Sequence, residues 1–310
     1  MYIQVLVLVL GSLGYCYLLV TEIPKGLLRV ISLLPVFYLF SILPWQFSSS
    51  ALARGLSSFF ITWITSFKLL LFAYDRGPLL FHQTYLDFAI VAIFPLKMRS
   101  RSSDHNKFSH SPNYSSLVVI PLIIVPVVYS QNYNVFLKFQ LFLCITTLTW
   151  LYMVQAVTRY ELVPLFNHPY LATSLQDFWG RRWNRMSSDI LRQTVYDPTR
   201  KSLEGITGLG AAKVVATIST LVVSGIMHEL AFYYITCGSK PTWEVAWFFI
   251  LHGLCMVLEA GLKRLAKVKG WTPLQPAVSI VLTVGFAIVT CYWLLILPVW
   301  RSTQGECLAK

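Results

Sequence analysis

Charge is what this sequence has least of. Only 13 of its 310 residues are acidic, and charged side chains of either sign make up 12%, about half the share in a soluble domain. A water-soluble fold of this size could not cover its surface with so few. Paired-cysteine spacing is missing too. The six cysteines (Cys16, Cys144, Cys237, Cys255, Cys291, Cys307) show no CxxC pattern and mostly lie in apolar runs. They read as small core residues, not as a disulfide or zinc framework, and no metal site is expected. GxSxG, P-loop and HExxH patterns are absent, and no histidine has an aspartate four positions on. The first apolar run lacks a basic n-region and a small-x-small cleavage site, so it reads as an uncleaved span.

What the sequence has is apolar length. Hydrophobic residues make up 56%, mean hydropathy is +0.62, and the runs approach the length that spans about 30 Å of hydrocarbon. Eight spans are predicted: Tyr2–Val20, Leu27–Phe47, Leu52–Ala73, Leu117–Tyr129, Val135–Val157, Leu209–Ile235, Trp243–Leu262 and Val278–Trp300. Phe88–Leu96 is too short to cross and reads as re-entrant or interfacial. The fold class is therefore an all-α polytopic transmembrane bundle, one membrane-embedded domain over residues 1–310, with residues 159–207 as a cytoplasmic or interfacial segment.

The formal net charge of +12 is topological, not a nucleic-acid signal, because the cations lie between spans rather than along one stripe. With a lumenal N-terminus, one side collects Lys25, Arg29, Arg76, Lys97, Arg99, Arg101, Lys107, the seven cations from Arg159 to Lys201, and Lys263, Arg264, Lys267 and Lys269. The other holds Arg54, Lys138, Lys240, Arg301 and Lys310. The richer side is cytoplasmic by the positive-inside rule. The sequon Asn113-Tyr114-Ser115 falls on that side and should stay unmodified.

Three features exceed what a structural bundle needs. Phe178-Trp179-Gly180-Arg181-Arg182-Trp183-Asn184, followed by Arg185, joins aromatics to cations, as suits a headgroup boundary. It reads either as a helix lying flat in the interface or as a phosphate-holding segment. Ser224-Gly225-Ile226-Met227-His228-Glu229 puts a histidine and an acid inside a span, where ionisable groups are costly and must face protein or a cavity. Ser224 and Gly225 share the face of His228 and leave room for a partner helix or a substrate chain. His252, with Glu259 seven residues on, reads as a structural polar seam or as support for the site. The His82 to Asp87 spacing imitates the HxxxxD of glycerolipid acyltransferases, but no supporting block follows it.

Pro169 to Asn184 and Val223 to Leu230 closely resemble plant wax synthases of the membrane-bound O-acyltransferase superfamily. So do Ile23 to Arg29 and Phe67 to Ala73. The likeness runs over nearly the whole chain and is weakest from Ser100 to Tyr160. It implies transfer of an acyl group from acyl-CoA to a lipophilic alcohol at the endoplasmic reticulum, with no cofactor. Long-chain alcohols are the implied acceptors, with sterols, diacylglycerol and terpenoids as alternatives. The superfamily's essential histidine and asparagine match His228 and Asn184. A neutral imidazole can take the hydroxyl proton during attack, and an amide N–H can donate to the thioester carbonyl. Trp179, Arg181, Arg182, Trp183, Arg185, Ser224, Glu229 and His252 are the expected substrate-binding residues. A proton-coupled transporter is the rival reading, although the paired, interrupted repeats of such carriers are not evident.

Overall fold

The structure is a computed structural model and describes residues 2–47, 51–81, 84–94, 96–98, 160–162, 165–298 and 301. The chain divides into two compact units, Leu96–Val163 and the remainder. In the smaller unit, β1 (Leu96–Met98) pairs antiparallel with β2 (Tyr160–Leu162), Leu96 opposite Leu162 and Met98 opposite Tyr160. The larger unit is helical. Its elements are α1 (Tyr2–Leu18), α2 (Leu27–Ile42), α3 (Ala51–Ser57), a π-helical segment Ser58–Thr65, α4 (Ser66–Ala73), α5 (Tyr85–Ile93), α6 (Arg185–Leu191), α7 (Asp197–Ile235), α8 (Glu244–Val268) and α9 (Pro276–Cys291).

Six helical stretches among the described residues are long and apolar enough to cross a bilayer. They coincide with six of the eight predicted spans. The other two, Leu117–Tyr129 and Val135–Val157, lie outside the described residues, as do Asn113 and His82. The chain is an all-α, multi-pass membrane protein. Its helices turn apolar side chains outward, among them Leu27, Ile31 and Leu34 on α2 and Val281, Leu282 and Ile288 on α9. Water would penalise such a surface, but lipid tails do not. Along α7 the break comes at Gly208, whose backbone is non-helical (φ 78°, ψ 159°). It falls one residue before the predicted start of the apolar span.

Among the described residues the buried arginines and the buried lysine of the bundle are partnered. Arg29 donates to the carbonyls of Ile23 (2.7 Å) and Phe72 (3.0 Å) and pairs with Asp75 at 2.7 Å. This ties the turn after α4 back to α2, and explains the Ile23 to Arg29 block structurally. Lys68 directs its ammonium to the carbonyls of Val91 and Phe94 (2.6 and 2.7 Å), so it closes the C-terminal end of α5, where cations are favoured. Short α5 starts from a capping box in which Thr84 and Asp87 satisfy each other's backbone amides. The carboxylate of the HxxxxD look-alike is thus used as a helix cap.

Arg54 is buried and donates to the carbonyls of Phe47, Tyr234 and Ile235. It holds the C-terminus of α7, whose last carbonyls lack intrahelical donors. Cys237 is disulfide-bonded, not merely a small core residue; Cys16, Cys255 and Cys291 are free, and its partner lies outside the described residues. Spacing alone could not reveal this, because the bond joins positions that are distant in the chain.

Candidate active site

The centre of interest is where α7 and α8 meet. Gly225 makes their close approach possible: a Cβ built there would lie 3.1 Å from both Cα and O of Ala246. One turn on, Glu229 is buried and accepts backbone N–H bonds from Trp243 (2.9 Å) and Ala246 (3.1 Å). Its carboxylate therefore caps the N-terminus of α8, where four amides lack intrahelical acceptors and negative charge is favoured. Both oxygens are committed to the backbone, so the residue expected to bind substrate serves as a helix cap.

His228 is arranged differently. Its Nδ1 lies 2.7 Å from the carbonyl of Ser224. A carbonyl only accepts, so Nδ1 carries the proton and Nε2 keeps its lone pair in the neutral ring. Among the described residues Nε2 has no hydrogen-bond partner, and the side chain is half-buried. The imidazole lies against Phe249 of α8 (ring centroids 4.3 Å apart) and meets Trp63 of the π-helical segment edge-on at 5.0 Å. A fixed ring with an accessible lone pair can accept a proton from a group brought beside it.

His252 shows the opposite pattern. Trp179 Nε1 donates to its Nδ1 (2.9 Å), while its Nε2 lies 2.8 Å from the Thr290 hydroxyl, which itself donates to the Phe286 carbonyl. Both nitrogens are therefore used, in the Nε2–H tautomer. This chain of bonds ties the aromatic-basic segment to α8 and α9. Glu259 extends the seam by accepting from Leu175 N–H at 3.0 Å.

The aromatic-basic segment folds as one turn, Leu175–Asp177, and a π-helical turn, Phe178–Arg182, leading into α6. Residues 165–167 pair back onto it through Asn167 N–H to Arg182 and Arg185 N–H to Leu165. The clamp holds Asn184 in a left-handed conformation (φ 38°, ψ 61°), which asparagine tolerates better than most residues. Asn184 Oδ1 caps α6 by accepting from Ser187 N–H, and its amide N–H groups remain unpaired among the described residues. Trp183 stacks on Phe178 at 5.4 Å. Arg182 pairs with Asp177 and donates to the His168 carbonyl at 3.1 Å, so much of its fork is occupied. Arg181 and Arg185 are exposed.

Trp179 joins the two regions. It packs on Phe249 at 5.6 Å, and Phe249 stacks on His228. The aromatic-basic segment and His228 are thus linked through Trp179 and Phe249, and no hydrogen bond joins Asn184 to His228 directly among the described residues. Phe249 and Trp63 were not singled out from sequence, because aromatic residues abound in every span. Trp63 is nevertheless unusual. It is 2% exposed, and its indole N–H is one of two buried polar side-chain groups without a partner among the described residues, the other being the Ser187 hydroxyl. An unmade buried hydrogen bond costs about 1–3 kcal/mol.

A neutral imidazole embedded among membrane helices is the group at this site that can accept a proton. The model of the membrane bound O-acyl transferase family matches residues 162–251, which contain both Asn184 and His228. "Probable long-chain-alcohol O-fatty-acyltransferase 6" of Arabidopsis thaliana is 39% identical over 95% of this chain and 87% of its own length. "Acyl-CoA--sterol O-acyltransferase 1" of the same plant is 37% identical over 93% of this chain and 87% of its own length. The chain belongs to the membrane-bound O-acyltransferase family, in its wax synthase group, and is an acyltransferase.

Proposed function

We propose that this protein esterifies a lipophilic alcohol with the acyl group of acyl-CoA, giving a wax ester where the acceptor is a long-chain fatty alcohol. The observation that carries the reading is the unpartnered Nε2 of His228 on a half-buried ring fixed by the Ser224 carbonyl. In the reaction the acceptor hydroxyl gives its proton to Nε2 as its oxygen attacks the thioester carbon. The C–O bond forms, the C–S bond breaks, and the proton passes from His228 to the departing coenzyme A sulfur. A thioester needs no prior activation, so direct attack suffices without a covalent enzyme intermediate. Asn184 has a spare amide donor for the thioester carbonyl, and the exposed cations Arg181 and Arg185 serve the cytoplasmic, polyanionic end of the donor, with the endoplasmic reticulum as the membrane.

The relative named for sterol acylation favours a second acceptor class, a sterol. The test supplies microsomes containing the protein with labelled acyl-CoA and a panel of fatty alcohols, sterols, diacylglycerol and terpenoid alcohols. Ester formed with one class identifies the acceptor, and no ester with any of them removes the reading. His228→Ala should lower turnover by at least 100-fold, the scale of a lost general base, while protein level stays intact. Full activity in that variant would reject His228 as the base.

A further inference from the structure

We infer that the indole N–H of Trp63 is a hydrogen-bond donor to the thioester carbonyl oxygen of the acyl donor, stabilising the negative charge that gathers there as the acceptor attacks. This rests on the acyl-transfer reading above and names a catalytic residue within it. Three observations converge on the indole. Trp63 lies edge-on to His228 with ring centroids 5.0 Å apart, so the two rings are in contact. The ring is buried, and its N–H has no partner among the described residues, an arrangement in which a bound ligand completes the bond. Finally, it sits in the π-helical segment Ser58–Thr65, and such local widening of a helix is frequent at functional sites.

The polar side chains around Trp63 fix it rather than compete with it. Thr62 donates to the Phe40 carbonyl, and Thr65 to the carbonyls of Phe60 and Ala92. These bonds pin the segment to α2 and α5, and so hold the indole on a rigid wall. A donor fixed before reaction costs no reorganisation when charge develops, and in a dry site it acts more strongly than in water. The acceptor's proton goes to His228 Nε2, whereas the carbonyl oxygen receives the electron pair displaced from the C=O bond. The two side chains therefore act on different atoms of one tetrahedral intermediate. An indole N–H donates only, so it cannot compete with His228 for the proton.

The experiment uses Trp63→Phe in the full chain, purified in detergent, beside wild type and His228→Ala. Two non-reacting donors are compared: an S-(2-oxoalkyl)-CoA, which keeps a carbonyl, and the S-alkyl-CoA thioether of similar length, which has none. Trp63→Phe should weaken the carbonyl-bearing analogue roughly tenfold, as a neutral hydrogen bond would, while leaving the thioether within about twofold. Turnover at saturating acyl-CoA should fall on the order of 10-fold and KM for acyl-CoA should rise by up to the same tenfold, so that kcat/KM falls on the order of 100-fold. A packing role would change both analogues alike, and that outcome, or unchanged turnover, overturns the inference while acyl transfer stands. If wild type binds neither analogue and forms no ester, the acyl-transfer reading falls and takes this assignment with it.

Discussion

His228 and His252 lie on neighbouring helices, and their hydrogen bonds give them different work. His252 donates and accepts at the same time, between Thr290 and Trp179; His228 uses one nitrogen only. His252→Phe should therefore cost about 1–3 kcal/mol of stability, read as a lower melting temperature in detergent, with turnover per folded molecule falling far less than in His228→Ala. If His252→Phe instead abolished turnover at unchanged stability, the division would be wrong. From sequence the resemblance marked His228, and His252 read as a polar seam or as support for the site; the bonds that hold His252 come from Trp179 and Thr290, 73 and 38 positions away. Glu229 was hidden for a related reason. Its partners are backbone amides, which every residue but proline carries, so no pattern of residue types announces the cap. What could be read was the cost: an acid inside a span demands a partner, and the fold provides two.

At the scale of helices, the apolar runs located the spans well, because bilayer thickness fixes their length. The π-helical segment Ser58–Thr65 was not legible, since a shift in backbone bonding register leaves no distinctive side-chain period. Close packing of α7 on α8 depends on Gly225, where the neighbouring atoms are backbone and cannot swing aside. Gly225→Val should push the helices apart and lower both melting temperature and activity. At Gly253 the nearest atoms belong to the side chains of Leu221 and Ile218, so Gly253→Ala should be milder. Equal losses from both substitutions would show that backbone approach is not what Gly225 provides. The turn after α4 carries a pH dependence. Asp75 lies outside the spans, and its carboxyl is held below its ordinary pKa by the hydrogen bond from Arg29, then by the charges of Arg29 and Lys25. A lowered folded-state pKa gives stability that is complete above the unfolded value of about 3.9 and is lost as pH falls through the folded value. Melting temperature should thus be insensitive to this pair from pH 7 to 5 and decline only below about pH 4. In Asp75→Asn that acid limb should flatten.

Two unlike observations bear on the orientation that the cation count predicts. Counting cations between spans puts the aromatic-basic segment in the cytoplasm and the turn after α7 on the opposite side. The disulfide at Cys237 lies in that turn, and disulfides persist in oxidising compartments such as the lumen of the endoplasmic reticulum. The charge rule makes no use of cysteine and the redox argument makes no use of charge, so their agreement carries weight. In the proposed reaction this orientation would turn the exposed Arg181 and Arg185 toward the compartment that supplies acyl-CoA. A glycosylation acceptor sequence inserted at exposed Lys240, expressed in a eukaryotic host, should gain an endoglycosidase-sensitive glycan. The same insertion at exposed Lys201, before the Gly208 break, should gain none. Glycan at Lys201 and none at Lys240 would invert the molecule, strand the disulfide in a reducing compartment, and leave the coenzyme without a route to its arginines.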